Sequence, residues 1–456
     1  MPSKTRPAPS GRIHVVLVPG FAGFDALGQL EYYAGVTPLF REWQETCATR
    51  AVLHYFDNLP TAGVATRAAR LRSWLTKRCA RGEIQPQDEI ALVGHSTGGL
   101  DIRRALVELD VEATRGEARL RVDGDKKTAL GVAPGKLLEL IRRVVFLSVP
   151  QRGTNLADWV RDHELLRRVA VRQLRTFVGA AALATAVNDL EEHAAGFIAG
   201  ASRADLFLAV RDAVGEIDAG AVKGDAEATA DANDAASDLR LWLAHIASDF
   251  GAIDDLCADS AIAPTSPAHL GDEDRERERR AWERWKIETR SYATLGTRPY
   301  DFGAGEPVPP WEIVRTSTSP WARVAGGMRE RTDGVYLCSY RACAGGPFRL
   351  REERAATVFG SSERRMVEAY DNDGIVNTAS MLWPDGEATR LVEGDHGDII
   401  GHFHLGEAPE PGLRKYHTYD LLRSSSGFTE QTFRDVWRDV FAFCAPAGVG
   451  AETDAA

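Results

Sequence analysis

Short apolar runs alternate with amphipathic stretches through the N-terminal part of the chain. Apolar runs bounded by turn residues predict buried strands at residues 12–18, 51–56, 89–93 and 143–149. Apolar positions at helical spacing predict helices from Val64 to about Arg81 and from Leu100 to Leu109. Strands that alternate with helices through short turns are typical of parallel sheets. The pattern therefore predicts an α/β fold, a mostly parallel sheet with helices on both faces.

The pattern changes after Asn155. Residues up to about 260 are almost all helix-forming, and they predict a large helical lid or cap inserted into the core at residues 155–285. Within this insertion, residues 219–238 are rich in Ala and Asp and predict a linker or a solvated helix. The charge run at residues 272–280 predicts a solvated helix face.

Strand character returns at residues 289–295, and apolar positions at helical spacing predict a last helix at residues 429–443. Pro, Gly and Arg in irregular order predict a second, irregular insertion at about 297–365. The predicted organisation is a first half of the core at 1–154, the cap at 155–285, a second half of the core at 286–446 that contains the irregular insertion, and a flexible tail at 447–456.

Composition narrows the classes of partner. The chain has 456 residues and a net charge of −11, which disfavours a general nucleic-acid or anionic-membrane surface. No apolar run reaches the roughly 18 residues of a transmembrane helix, and no signal-like segment is visible, so we expect a cytoplasmic protein, or a secreted one if a signal has been removed. The six scattered cysteines include no CxxC pair and predict free thiols rather than a zinc framework. The sequence does not indicate an oligomeric state.

The strongest local motif is Gly94-His95-Ser96-Thr97-Gly98, between a predicted strand and a predicted helix. In this context the motif is typical of a nucleophile elbow, a strained turn that exposes the serine hydroxyl in front of a helix N-terminus. The sequence therefore predicts Ser96 as a nucleophile, and the alternative is an ordinary tight turn. We expect the side chain of His95 to point away from that of Ser96 and to be structural.

A nucleophilic serine needs a base to accept its proton, and in α/β hydrolases the chain order is Ser, then Asp or Glu, then His. His396, His402 and His404 compete for the role of base. His396 is favoured because glycines flank its loop and two isoleucines follow it. Which histidine acts depends on geometry.

The acid that orients the base has two candidates, Asp371 and Asp373. Asp373 is favoured because it directly precedes Gly374 and two apolar residues, as at the end of a strand. The alternative is a simple Asn-Asp-Gly turn. Two backbone N–H groups would stabilise the oxyanion, those of Thr97 and of Phe21 in the loop after the first strand.

Several segments in this order resemble the bacterial true-lipase family of α/β hydrolases. They are residues 18–23 (the oxyanion loop), 30–36, 94–99 (the elbow), 149–154 (the stretch before the lid), 372–378 (the acid loop) and 395–396 (the base loop). The resemblance covers roughly 12–155, 285–295 and 366–444. It implies an α/β-hydrolase fold and ester hydrolysis through an acyl-enzyme, with Ser96, Asp373 and His396 as the triad. It also implies a helical lid over an apolar acyl site and a possible structural calcium ion bound by Asp398; no other cofactor is required.

The chain departs from the family at two positions. Pro19 and Gln151 stand where the family has histidines. The missing signal favours an intracellular or short-chain ester as substrate. The sequence thus predicts a serine carboxylic-ester hydrolase, lipase or esterase, whose partner is a small ester or lipid. The alternatives are an intracellular polyester depolymerase or acyltransferase with the same triad, a peptidase or amidase, and a catalytically silent hydrolase fold that serves as a binding protein.

Overall fold

The computed structural model describes residues 11–21, 23, 26–27, 30–47, 50–123, 133–162, 252–257, 272–296, 340, 343–344, 354–383, 388–403, 422, 424 and 426–446. Most of the predicted cap, most of the predicted irregular insertion and the predicted tail lie outside these residues. His404 lies outside them as well. The predictions that fall on those segments stay predictions.

Eight strands form one sheet in the order β4-β1-β5-β6-β7-β10-β8-β9, and β2 and β3 form a small separate antiparallel pair. The strands are β1 (Ile13–Val18), β2 (Ala26–Leu27), β3 (Leu30–Glu31), β4 (Ala51–Tyr55), β5 (Glu89–His95), β6 (Ile141–Leu147), β7 (Glu288–Leu295), β8 (Arg354–Val358), β9 (Arg364–Val367) and β10 (Thr389–Glu393). In the main sheet only the pairing of β8 with β9 is antiparallel. The strands predicted from the apolar runs are confirmed as β1, β4, β5, β6 and β7.

The position of β1 determines where a site can form. The chain continues from β1 to β4 on one side and then crosses to β5 on the other side. Connections that diverge in this way open a crevice at the carboxyl ends of the two strands. Val18 at the end of β1 is paired with Gly94 near the end of β5, so the loop after β1 and the turn after β5 meet in that crevice.

Helices cover both faces of the sheet. They are α1 (Val36–Thr46), α2 (Val64–Ala80), α3 (Thr97–Asp123), α4 (Pro134–Leu140), α5 (Asn155–Asp162), α6 (Ala252–Leu256), α7 (Asp272–Trp285), α8 (Thr378–Met381) and α9 (Glu430–Cys444), with a 3-10 turn at Asp398–Ile400. On one face, α1 packs against α9, whose buried Trp437 makes an edge contact with Tyr33 at 5.9 Å between ring centroids. On the other face, α2, α3, α4 and α7 pack over the apolar side chains of β5 and β6. This architecture confirms the predicted α/β-hydrolase fold.

One segment agrees with the sequence prediction on its solvated face and adds a buried ion pair, and another differs from its prediction. The charge run in α7 is solvated on only one side, because Glu278 is 1% exposed and pairs with Arg103 at 2.6 Å, and Trp282 is also buried. The stretch predicted as irregular contains β8 and the start of β9. Those strands are short and rich in Arg, Ala and Thr, and β9 is a largely exposed edge strand. Neither contains an apolar run, and each is stabilised by its pairing, β8 with β10 and β9 with β8. In the part of the chain that is described, no helix is long and apolar enough to cross a bilayer.

Candidate active site

Ser96 lies on the turn between β5 and α3, in the left-handed region with φ of 53°. This conformation costs a non-glycine residue conformational free energy, and such strain is concentrated at functional sites. The turn packs closely against the end of β1, since a Cβ on Gly98 would lie 2.3 Å from the carbonyl oxygen of Val18. The backbone thus has the conformation of the predicted nucleophile elbow.

Asp373 and His396 are brought together at the same edge of the sheet. His396 Nδ1 lies 2.7 Å from Asp373 Oδ2, and Asp373 is completely buried. The backbone N–H of His396 also donates to the carbonyl oxygen of Asp373 at 3.1 Å. A carboxylate at Nδ1 holds the proton on that nitrogen and leaves Nε2 as the acceptor, which is the tautomer that a general base needs.

The base loop lies next to the elbow. The ring centroids of His396 and His95 are 4.7 Å apart, and His95 is the residue directly before Ser96. Among the described hydrogen bonds, Ser96 Oγ has none to His396. In ligand-free enzymes such bonds are often long and shorten in the substrate complex. The structure therefore joins the acid to the base, and it places the ring of His396 against the ring of His95, the residue before the serine.

The alternative candidates for base and acid, His402 and Asp371, have other hydrogen-bond partners. His402 is buried, and its Nε2 lies 3.0 Å from the carbonyl oxygen of Tyr32. Asp371 accepts a hydrogen bond from the backbone N–H of Glu368 at 2.9 Å, and burial raises the pKa of its carboxyl group. Neither is hydrogen-bonded to His396. The geometry favours Asp373 as the acid and His396 as the base.

A hydroxyl that the sequence analysis missed supports the acid. Thr294 Oγ1, near the end of β7, donates to Asp373 Oδ2 at 2.5 Å and lies 2.8 Å from the hydroxyl of Ser148. Because Thr294 has one proton, Ser148 donates to Thr294 and Thr294 donates to the carboxylate. The other carboxylate oxygen accepts the backbone N–H groups of Ile375 and Val376 at 3.0 and 2.8 Å. Both oxygens of the carboxylate that orients the imidazole are thus themselves held in position.

Thr294→Val is expected to lower kcat/KM for esters about tenfold, because the variant keeps the shape of the side chain and loses one donor to Asp373. Without this donor, the carboxylate of Asp373 stabilises the protonated ring of His396 more strongly. The loss of activity on acidification should therefore begin at higher pH. The pH dependence of kcat/KM measures this shift. Thr294→Ser retains the hydroxyl and should restore the wild-type profile; an unshifted profile in the valine variant would refute this role.

The loop after β1 is held close to the serine. A Cβ on Gly20 would lie 2.5 Å from Ser96 Cβ, so the backbone that leads into Phe21 passes directly beside the serine. Thr97 is the first residue of α3, where backbone N–H groups have no partner within the helix. These positions are compatible with the predicted oxyanion donors, the N–H groups of Phe21 and Thr97.

A buried arginine that the sequence analysis also missed anchors this loop. Arg67 on α2 is 0% exposed, pairs with Asp101, and donates to the carbonyl oxygens of Pro19 and Gly20 at 2.8 and 3.1 Å. Burial raises the pKa of Asp101 to about 6, against the opposing effect of Arg67. The only sequence signal was one charged residue on the inner face of a predicted helix, where an apolar residue is usual.

The predicted calcium ligand, Asp398, holds the base loop in shape. Asp398 Oδ2 accepts hydrogen bonds from the backbone N–H of Asp395 at 2.7 Å and from the hydroxyl of Ser426 at 2.6 Å. Asp395 in turn accepts the backbone N–H groups of Gly397 and Asp398. No three acidic, histidine or cysteine side chains of the described segments gather into a possible metal site. Ca²⁺ takes about six to eight oxygen ligands, which include backbone carbonyls and waters, so a calcium ion at Asp398 stays a prediction.

Comparison with known proteins finds similarity at the level of structure only. No family model matches the chain, and no curated protein matches it significantly. In structure, the chain is similar to bacterial lipases. The Staphylococcus hyicus lipase is 13% identical with a TM-score of 0.40, covering 97% of each chain. Lipase 1 from Pelosinus fermentans is 16% identical with a TM-score of 0.41, covering 94% of this chain and 98% of its own. The mature Bacillus licheniformis lipase BlEst2 is 13% identical with a TM-score of 0.36, covering 88% and 89%.

Proposed function

We propose that this chain is a serine carboxylic-ester hydrolase, lipase or esterase, that works through an acyl-enzyme. One observation carries the proposal. A serine in the left-handed conformation follows strand β5, and a buried histidine that is hydrogen-bonded at 2.7 Å to a buried aspartate packs against the residue before that serine. A nucleophile, a base and an acid that orients the base are the groups that acyl transfer requires.

In the first half of the reaction, His396 Nε2 accepts the proton of Ser96 while Oγ attacks the carbonyl carbon of the ester. The carbonyl oxygen becomes an oxyanion that accepts hydrogen bonds from the N–H groups of Thr97 and Phe21. His396 then donates its proton to the leaving alcohol, and the C–O bond breaks to give the acyl-enzyme. Asp373 remains a carboxylate throughout and stabilises the imidazolium.

In the second half, water replaces the alcohol. His396 accepts a proton from the water, whose oxygen attacks the acyl carbon, and the same two N–H groups stabilise the second oxyanion. The proton then returns to Ser96 Oγ as the carboxylic acid leaves. The turn that carries Ser96 and the loop that carries Phe21 meet at the crevice beside β1 and β5, and open α/β sheets bind their ligands at such crevices.

A fluorophosphonate reagent tests the proposal directly. Oγ of Ser96 should form a bond to phosphorus as fluoride leaves, and peptide mapping by mass spectrometry should place the adduct on Ser96. A series of p-nitrophenyl esters of increasing chain length, with and without an oil interface, then separates an esterase from a lipase. A protein that is neither labelled nor active on any of these esters would contradict the proposal and indicate a silent binding protein.

A further inference from the structure

A chain of buried hydrogen bonds runs behind the serine from the oxyanion loop to the base loop. The backbone N–H of Gly20 donates to the hydroxyl oxygen of Tyr32 at 2.9 Å. The same hydroxyl lies 2.6 Å from His95 Nδ1, and His95 Nε2 lies 3.0 Å from the carbonyl oxygen of His396. Tyr32 and His95 are 3% and 2% exposed, so water does not compete for these bonds.

The chemistry of the groups determines which atom carries the proton in each of these hydrogen bonds. A carbonyl oxygen only accepts, so His95 Nε2 carries the hydrogen that is donated to His396. Burial holds the pKa of His95 well below its usual range, and the neighbouring His396 lowers it further, so the ring is neutral. His95 Nδ1 is then an acceptor, and the hydroxyl of Tyr32 donates to it. The direction of donation is consistent from Gly20 through Tyr32 and from His95 to His396.

We infer that Tyr32 and His95 are positioning residues that hold the oxyanion loop and the base loop at a fixed distance from each other. We call this series of hydrogen bonds from Gly20 to His396 the bridge. The inference rests on the proposed function and deepens it. Gly20 and His396 lie near opposite ends of the chain, and their loops must meet on either side of one reacting carbonyl. A displacement of about 1 Å between catalytic groups can cost about a hundredfold in rate. A bond between the two loops limits this displacement.

The surrounding contacts make Gly20 an effective anchor. Tyr32 accepts from its N–H, and Arg67 donates to its carbonyl oxygen and to that of Pro19. Both peptide groups next to Gly20 are therefore oriented by buried side chains, and Phe21 follows directly. At the other end, the carbonyl of His396 belongs to the residue whose ring Asp373 orients. The bridge thus connects two groups that are each held by further contacts.

Tyr32→Phe tests the inference with the least change of shape. We expect kcat for p-nitrophenyl esters to fall about tenfold to a hundredfold with little change in KM, because the ground-state ester does not use the oxyanion donors fully. An alkyl trifluoromethyl ketone forms a hemiketal oxyanion on Ser96. Its inhibition constant should rise in proportion to the loss of kcat/KM.

Tyr292→Phe is the matched control. It deletes another buried phenolic hydroxyl, which donates to Asp439 on α9 away from the site, so it should lower the unfolding temperature without changing kcat or the affinity for the ketone. The inference is overturned if Tyr32→Phe stays within twofold of wild type, or if Tyr292→Phe loses as much kcat.

A measurement on the wild-type protein avoids dependence on the folding of a variant. Nitrogen NMR of the histidines should show His95 as the neutral tautomer with hydrogen on Nε2. Hydrogen on Nδ1, or a charged ring at neutral pH, would overturn the bridge even if the enzyme is active. Conversely, an inactive wild-type protein that shows this tautomer would sink the proposed function and leave the bridge in place.

Discussion

Ser96→Ala is expected to lower kcat on p-nitrophenyl esters by about 10⁶-fold, the loss seen when a serine nucleophile is removed from a triad. The reason is chemical, since no other atom can form the acyl-enzyme. The protein should remain folded, because alanine fits the turn at φ of 53° as well as serine does and the serine hydroxyl has no bond to His396 to lose. Steady-state kinetics and thermal unfolding measure the two effects separately.

Ser361→Ala provides the control for this variant. Ser361 is exposed in the turn between β8 and β9, so the same deletion of a hydroxyl there should leave kcat unchanged. If Ser96→Ala kept more than about a hundredth of the wild-type rate, Ser96 would not be the nucleophile.

Asp373→Asn is expected to lower kcat by about 10⁴-fold at neutral pH. The amide has nearly the shape of the carboxylate, but it lacks the charge that stabilises the imidazolium. Its NH₂ group can donate to Nδ1, which would put the imidazole proton on Nε2 and leave no base for the serine. The dependence of kcat on pH, together with the fluorophosphonate labelling rate, measures the loss of the base.

Asp371→Asn separates this effect from a general disturbance of the acid loop. Asp371 lies two residues away, is also buried, and accepts a backbone N–H rather than the imidazole. We expect kcat to change only a few-fold in this variant. A larger loss in Asp371→Asn than in Asp373→Asn would reverse the assignment of the acid.

Apolar runs predicted the central strands because those strands are buried on both faces, and apolar periodicity predicted the last helix because it is buried on one face. β1, β5 and β6 consist almost entirely of buried side chains, and α9 has one apolar face at helical spacing. β9 escaped prediction because it is an edge strand with three of its four residues at least partly exposed. The charge run in α7 has the predicted solvated face, but the burial of Glu278 could not be predicted, because its ion pair with Arg103 joins residues 175 positions apart.

The candidate site divides in the same way. The elbow is a local turn, so a strand, two glycines and a helix were enough to predict Ser96. The acid and the base remained short sets of alternatives, since Asp371 and Asp373, or His396 and His402, have similar neighbours in sequence. Thr294 and Tyr32 gave no sign of their roles, because a threonine in a strand or a tyrosine in a loop is ordinary until its partner is known. Arg67 gave only a weak sign, a charge on the inner face of a predicted helix.

The linear order of residues by itself determined the alternation of strands and helices and the strained turn at Ser96, since both follow from interactions between near neighbours. Only the tertiary structure decided which carboxylate meets which imidazole, and that Tyr32 and His95 connect loops about residues 20 and 396. The physical reason is that a hydrogen bond depends on distance and direction to within a few tenths of an ångström. For residues far apart in the chain, the packing of the sheet and its helices sets that distance.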